Sequence, residues 1–204
     1  CAAEWVYAPL KMTATGYKPA KDLLQRVVPT DKDENGTMLH GVVHDPTARR
    51  MGGVAGHAGL FISAADTARF ARMLLNGGEL DGVRVLKPET VRLMTSVQTP
   101  SAMWERRGLG WDIDTRFSRP RGKVFPLGGI GHTGWTGTAL WIDPASRTFF
   151  VMLSSRLHPD GVGSVRDLYE EVGTLVAGAV KDFDFKKAAS LPARDERDPP
   201  AVWN

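Results

Sequence analysis

The stretch that decides the fold is residues 128–154, GGIGHTGWTGTALWIDPASRTFFVMLS, where glycines and threonines precede a run of large apolar residues. From Thr133 onward small and polar residues alternate with larger ones, which is the period of a strand. Asp143–Arg147 supplies turn residues, and Thr148–Leu153 is a β-branched and aromatic run typical of a strand covered on both faces. The stretch therefore predicts a glycine-lined strand that something approaches closely, a turn, and a buried partner strand.

The clearest helix signal lies upstream, at Ser63–Asn76. Ser63 is suited to cap the first free amides, and Asp66 places a negative charge near the positive end of the helix. The glycines at 77 and 78 end it. Its core-facing stripe is expected to be Thr67, Phe70, Ala71, Leu74 and Leu75.

Other segments have weaker signals. We expect a short helix over Pro88–Thr95, a hairpin around Asp81-Gly82, a strand within Gly108–Asp114 whose Trp111 and Ile113 enter the core, and a short strand at Leu23–Val28. Val165–Val180 predicts an amphipathic helix packed on the sheet. Its apolar positions are Leu168, Val172, Leu175, Val176 and Ala179.

Composition indicates an ordinary globular protein. The 204 residues are 42% hydrophobic and 24% charged, and the formal net charge is only +3. The basic residues are scattered along the sequence, so no nucleic-acid or anionic-membrane partner is expected. No transmembrane segment is predicted, because no apolar run approaches the ~18–20 residues needed. The one cysteine, Cys1, excludes an internal disulfide within this sequence.

Gly129–Gly134 matches the G-x-G-x-x-G pattern of dinucleotide-binding loops. In such loops the glycines follow a strand and open a helix whose N-terminus holds the pyrophosphate. Here they lead into Trp135–Trp141, which is strand-like, so a nucleotide is not expected. We predict no cofactor for this chain.

Two histidine-containing segments are further candidates. His40 and His44 are spaced as metal ligands on a helix would be, but Asp45-Pro46 breaks any helix there, so we predict no metal site. A metal hydrolase using these residues and His57 remains the alternative. The glycine-rich stretch around Gly56 and His57 is typical either of a site-lining loop or of a packing turn, and we select both residues as substrate-binding.

Four segments together resemble serine β-lactamase-related hydrolases, which include class C β-lactamases, penicillin-binding proteins, D-alanyl-D-alanine peptidases and esterases. They are Glu4–Tyr17, Gly52–Asn76, Leu109–Trp111 and Gly131–Gly134, in the expected order, the last standing where these proteins carry Lys-Thr-Gly or His-Thr-Gly. The resemblance implies an α+β fold, an antiparallel sheet flanked by helices, of which the N-terminal part is missing.

The resemblance also implies a mechanism. In these hydrolases a serine in a Ser-x-x-Lys motif attacks a carbonyl and an acyl-enzyme forms. By analogy His132 and Thr133 are expected to be catalytic, orienting the substrate or assisting proton transfer. Gly134 and the backbone N–H of Trp135 would form one arm of the oxyanion hole. Histidine titrates near neutrality, so it suits an esterase-like site at least as well as a β-lactamase.

The sequence departs from the pattern in one respect. No serine here is followed by lysine three positions on, and neither Tyr-x-Asn nor Ser-x-Asn occurs. We therefore expect this chain to begin downstream of the nucleophile and to be inactive alone. Residues 1–188 would form the C-terminal portion of the domain, and residues 189–204 a mobile polar tail.

The expected partners are a small-molecule or peptidoglycan-like substrate and the missing N-terminal part of the same domain. A non-catalytic ligand-binding module of the same fold is the alternative, and a third possibility is a fragment that aggregates because its apolar faces are uncovered. The residues do not predict a compartment; the resemblance alone favours a periplasmic or secreted protein.

Overall fold

The computed structural model describes residues 1–192, and its centre is a five-stranded antiparallel sheet ordered as in the chain. Two shorter antiparallel pairs, β1 with β2 and β3 with β4, lie outside it. The strands are β1 Gly16–Tyr17, β2 Leu60–Phe61, β3 Glu79–Leu80, β4 Val83–Arg84, β5 Arg106–Arg107, β6 Asp112–Asp114, β7 Ile130–Thr133, β8 Ala139–Asp143 and β9 Thr148–Met152.

Residues 1–192 also form four α-helices and four short helical turns. The helices are α1 Pro46–Arg50, α2 Ala64–Leu75, α3 Pro88–Thr95 and α4 Arg166–Ala179. The short turns are a π-helical turn at Ala3–Tyr7 and 3₁₀ turns at Lys21–Arg26, Arg119–Arg121 and Phe185–Lys187. The architecture is α+β, as expected.

Both faces of the sheet are covered, which the run at Thr148–Leu153 predicts. Phe149 packs on the core beside α2, whereas its neighbour Phe150 is buried on the α4 side. The α2-side core includes Leu10, Met73, Leu74, Ile113, Ile130 and Ile142. The α4-side core is built on Phe125, Trp141, Phe150 and Ala177.

The predicted glycine-lined strand is not continuous. It breaks at residues 134–138 into a tight turn between β7 and β8, where the N–H of Gly134 donates to Thr138 O at 2.7 Å and that of Gly137 to Gly134 O at 3.0 Å. Gly137 has φ +114°, a conformation that L side chains rarely adopt, so glycine here signals a turn and not strand packing. The predicted turn, Asp143–Arg147, does join β8 to β9.

The group that approaches the glycine-lined strand is a tryptophan of the protein itself. A Cβ on Gly131 would lie 2.2 Å from Cε3 of Trp141, and one on Gly129 would lie 2.8 Å from Trp141 Nε1. Trp141 pairs with Gly131 across β7 and β8 and is only 1% exposed. These two glycines therefore serve core packing.

Helix α2 matches its prediction: the Ser63 hydroxyl accepts from Asp66 N at 3.1 Å, and Asn76 follows the last turn. The helix over Pro88–Thr95 and the hairpin at Asp81-Gly82 are also present. The strand expected at Leu23–Val28 is wrong. A 3₁₀ turn occupies Lys21–Arg26 instead, closed by a hydrogen bond from Leu23 N to Ala20 O.

Helix α4 exists as predicted, but its buried face is shifted: Val172 and Val176 pack against the α4-side core as expected, whereas Leu168 is exposed. Its buried residues are Tyr169, Gly173 and Ala177, whereas Leu175, assigned to the core from sequence, is 73% exposed. A Cβ on Gly173 would lie 2.1 Å from Pro120 O, so the helix approaches the Arg119–Arg121 turn through small residues. Close backbone approach at Gly173 therefore acts together with side-chain packing to set its orientation.

The proposed tail, residues 189–204, lies mostly outside the described residues. Within residues 1–192, Ser190 and Leu191 both hydrogen-bond with Leu127. None of the helices in that same range has the length and apolarity to cross a membrane.

Candidate active site

The ends of β7 and α4 face a cleft of about 590 Å³. His132, Thr133, Gly134 and Trp135 line one side of it, and the segment Gly163–Arg166 lines another. The remaining lining residues are Arg107, Asp112, Arg116, Phe117, Arg119, Arg156 and Tyr169. The structure thus brings together the four residues predicted from the His-Thr-Gly segment.

His132 has an exposed side chain whose orientation is set by its own strand. Its Nδ1 lies 2.9 Å from the carbonyl oxygen of Thr133. A carbonyl can only accept a hydrogen bond, so this contact favours the tautomer with the proton on Nδ1. In that tautomer Nε2 carries the lone pair and can accept a proton.

Trp135 lines the cleft, where its aromatic ring is exposed. Its side chain is 73% exposed, and the Arg156 guanidinium carbon lies 4.6 Å from its ring centroid. Within residues 1–192 its backbone N–H makes no hydrogen bond. Such an amide is available to an oxygen that develops negative charge.

The cleft carries excess positive charge. Five arginines line it, at positions 107, 116, 119, 156 and 166. Arg107 is neutralised by the buried Asp112 at 2.7 Å, and Arg119 lies 3.4 Å from Asp167. Among the described residues, Arg156 and Arg166 have no carboxylate partner.

Tyr169 closes the floor of the cleft from α4. Its hydroxyl donates to Thr138 O at 3.1 Å, and burial raises the pKa of its phenol, although the nearby Arg156 charge opposes this shift. Tyr169 therefore stays protonated at neutral pH and acts as a hydrogen-bond donor.

Gly56 and His57, also selected from the sequence, do not line this cleft. His57 Nε2 lies 3.0 Å from Asp45 Oδ1 beside α1. The backbone N–H of Ala48 and then the His57 side chain hold the pKa of Asp45 below its ordinary value. The predicted role of Gly56 and His57 in substrate binding stays a prediction.

The three histidines of the metal alternative have separate partners. His40 Nε2 lies 2.9 Å from Val27 O, and His44 Nε2 lies 3.4 Å from Asp31. Across the described part of the chain, no group of three or more His, Cys, Asp or Glu residues is arranged to hold a metal ion.

Sequence reasoning did not identify Arg107, Asp112, Arg156 or Tyr169 as cleft residues. They come from β5, β6, the segment after β9, and α4, so no local motif joins them. The only local signal was the strand alternation that placed Asp112 opposite the core residues Trp111 and Ile113.

Comparison with known proteins gives consistent results. The Beta-lactamase family model matches residues 1–173. A protein of Escherichia coli K12, provisionally named a D-alanyl-D-alanine carboxypeptidase, is 34% identical over 179 residues, covering 76% of this chain and 39% of that protein. The chain thus spans about two fifths of the length of the curated relatives it matches.

Solved structures share the fold. A simvastatin synthase from Aspergillus terreus superposes with a TM-score of 0.66 at 17% identity, covering 89% of this chain and 50% of that one. A beta-lactamase from Mycobacterium bovis gives a TM-score of 0.52 at 21% identity, covering 86% and 54%.

Proposed function

The chain belongs to the beta-lactamase family, and on that premise we propose that its parent protein is a serine hydrolase that cleaves an ester, amide or β-lactam through an acyl-enzyme. The observation that carries this proposal is the open cleft bordered by His132, Thr133 and Trp135. Catalytic residues must be accessible to substrate, and the open cleft makes these three residues accessible.

The proposed roles follow from the geometry. His132 Nε2 orients the substrate or takes part in proton transfer, because Nδ1 is engaged with the Thr133 carbonyl. Thr133 offers a half-buried hydroxyl beside it. The Trp135 N–H donates to the carbonyl oxygen as it becomes an oxyanion, a contribution typically worth ~2.7–4 kcal/mol in the transition state.

We propose that the attacking serine belongs to polypeptide outside these 204 residues. No Ser-x-x-Lys occurs in them, and the matched relatives are much longer than this chain. On this proposal the chain supplies one wall of the site and does not turn over substrate alone.

Among possible substrates, the similarity to the Escherichia coli protein favours a peptide ending in D-alanyl-D-alanine. Arg166, which lines the cleft and has no carboxylate partner among the described residues, is compatible with such a substrate, whose terminal carboxylate is anionic. An ester is the second candidate, because histidine at position 132 suits an esterase-like site at least as well as a β-lactamase.

The decisive experiment assays the complete protein, including all polypeptide encoded before Cys1, with a D-alanyl-D-alanine peptide, a chromogenic β-lactam and a short-chain ester. We expect turnover of at least one, and a loss of about 100-fold or more in kcat/KM for His132→Gln, because acid–base groups typically contribute 10²–10⁴-fold. His40→Gln is the matched control, since His40 is exposed and does not line the cleft.

Three outcomes would contradict the proposal. Turnover by residues 1–204 alone, lost on His132→Ala, would show that the nucleophile lies within this chain. Loss of activity in His40→Gln together with stoichiometric bound zinc would favour the metal hydrolase. Ligand binding by the complete protein without any hydrolysis would favour the non-catalytic module.

A further inference from the structure

Arg156 holds the turn that follows the His-Thr-Gly segment at three points. Its Nε donates to Trp135 O at 2.7 Å, and its backbone N–H donates to Thr136 O at 2.8 Å. The face of its guanidinium covers the Trp135 ring, with 4.6 Å to the centroid. Another guanidinium nitrogen donates to Gly163 O at 2.7 Å, which links this turn to the segment before α4.

The carbonyls at the end of the same turn are occupied as well. The Ser154 hydroxyl donates to Gly137 O, and the Tyr169 hydroxyl donates to Thr138 O at 3.1 Å. Four consecutive carbonyls, from Trp135 to Thr138, therefore accept hydrogen bonds from side chains or backbone behind the turn. The Trp135 N–H has no such partner among residues 1–192.

We propose that Arg156 is a positioning residue that fixes this turn so that the Trp135 N–H is held ready as a donor. This inference rests on the proposed function, in which that amide stabilises the oxyanion. Only donors fixed in advance stabilise a transition state without reorganisation at the moment of reaction. Arg156 does this indirectly, through the carbonyl of Trp135 and its ring.

The arrangement requires arginine. One planar guanidinium supplies two donors in different directions and a flat face for stacking, whereas a lysine ammonium is a single compact charge. Lys at this position would keep the charge but could not make both 2.7 Å contacts while covering the indole. Arg156→Lys is therefore expected to fix the turn only partly, and Arg156→Gln is expected to fix it less than Arg156→Lys does.

The first test is made on the complete protein and needs no activity. In Arg156→Gln, amide hydrogen exchange at Gly134 and Gly137, which bond within the turn, is expected to rise about tenfold or more, the scale of one lost charge-assisted hydrogen bond. Arg147→Gln is the matched control. Arg147 also contacts two acceptors, Leu75 O at 3.2 Å and Asn76 Oδ1 at 2.8 Å, away from the cleft.

The second test uses the complete protein. Arg156→Gln should lower kcat about tenfold, with KM changed less than twofold. The kcat of Arg156→Lys should lie between those of Arg156→Gln and the unmodified protein. Arg147→Gln should leave both kcat and KM unchanged. Unchanged exchange at Gly134 and Gly137, or an equal rise in Arg147→Gln, would overturn the proposal. Faster amide exchange in Arg156→Gln together with an unchanged kcat would show that fixing the turn does not assist catalysis. If the unmodified protein hydrolyses nothing, the proposed function fails, and the exchange data still decide whether Arg156 fixes the turn.

Discussion

A methyl group added to Gly131 would lie 2.2 Å from Trp141 Cε3 and 2.5 Å from Leu140 O. Neither neighbour can move easily, because Trp141 is buried and Leu140 O belongs to β8. We predict that Gly131→Ala lowers the free energy of unfolding by about 1–3 kcal/mol or more, as overpacking does. Urea denaturation monitored by circular dichroism measures this free energy of unfolding.

Gly56→Ala is the control for that prediction, since a Cβ there meets nothing within 4 Å. Its stability is expected to change by no more than about 0.5 kcal/mol. A similar loss of stability in both variants would show that the close contact with Trp141 is not what requires glycine in β7.

At the level of single residues, the segment His132–Trp135 could be recognised because its four residues are contiguous. The partner of the neighbouring glycines could not be identified. A glycine pattern records that a close approach occurs but not which group approaches, and here Trp141 comes from the adjacent strand.

At the scale of single elements, α4 contains two glycines whose replacement by alanine is expected to change stability in opposite directions. Gly173→Ala would place a Cβ 2.1 Å from Pro120 O and push the helix from the Arg119–Arg121 turn, at a cost of about 1–3 kcal/mol. Gly178→Ala has no atom within 4 Å, and the higher helix propensity of alanine should raise stability by about 0.5 kcal/mol. Thermal or urea unfolding of the two single variants compares them directly.

A stabilising Gly173→Ala would contradict the packing assigned to α4. The sequence predicted this helix correctly, but only the Val172 and Val176 part of its buried face. Hydrophobic spacing selects Leu168 and Leu175, whereas the structure buries the small-residue side because backbone approaches backbone there.

On the scale of the whole molecule, α2 joins the N-terminal segment to the main body. The buried carboxylate of Asp66 accepts from Ala14 N at 2.8 Å and from Thr15 Oγ1 at 2.7 Å. Asp66→Ala leaves these donors without their acceptor, and we predict a loss of about 2 kcal/mol in unfolding free energy.

Glu89→Ala is the matched control for Asp66, because Glu89 is also acidic and in the first turn of a helix but is exposed. A much smaller loss is expected there. Both are measured by urea denaturation, and proteolysis before Thr15 should accelerate only in Asp66→Ala. Equal losses would mean that the helix dipole, and not the link to residues 14–15, dominates.

The sequence by itself determined the α+β class, the helix at Ser63–Asn76, the β8–β9 hairpin, and membership of the beta-lactamase family. These features depend on residues close together in the chain, where capping, periodicity and turn chemistry act. Only the tertiary structure decided which groups share the cleft, what packs on Gly131, and which face of α4 is buried. Those outcomes depend on contacts between distant segments, such as Arg156 with Trp135, and local patterns do not encode such distances.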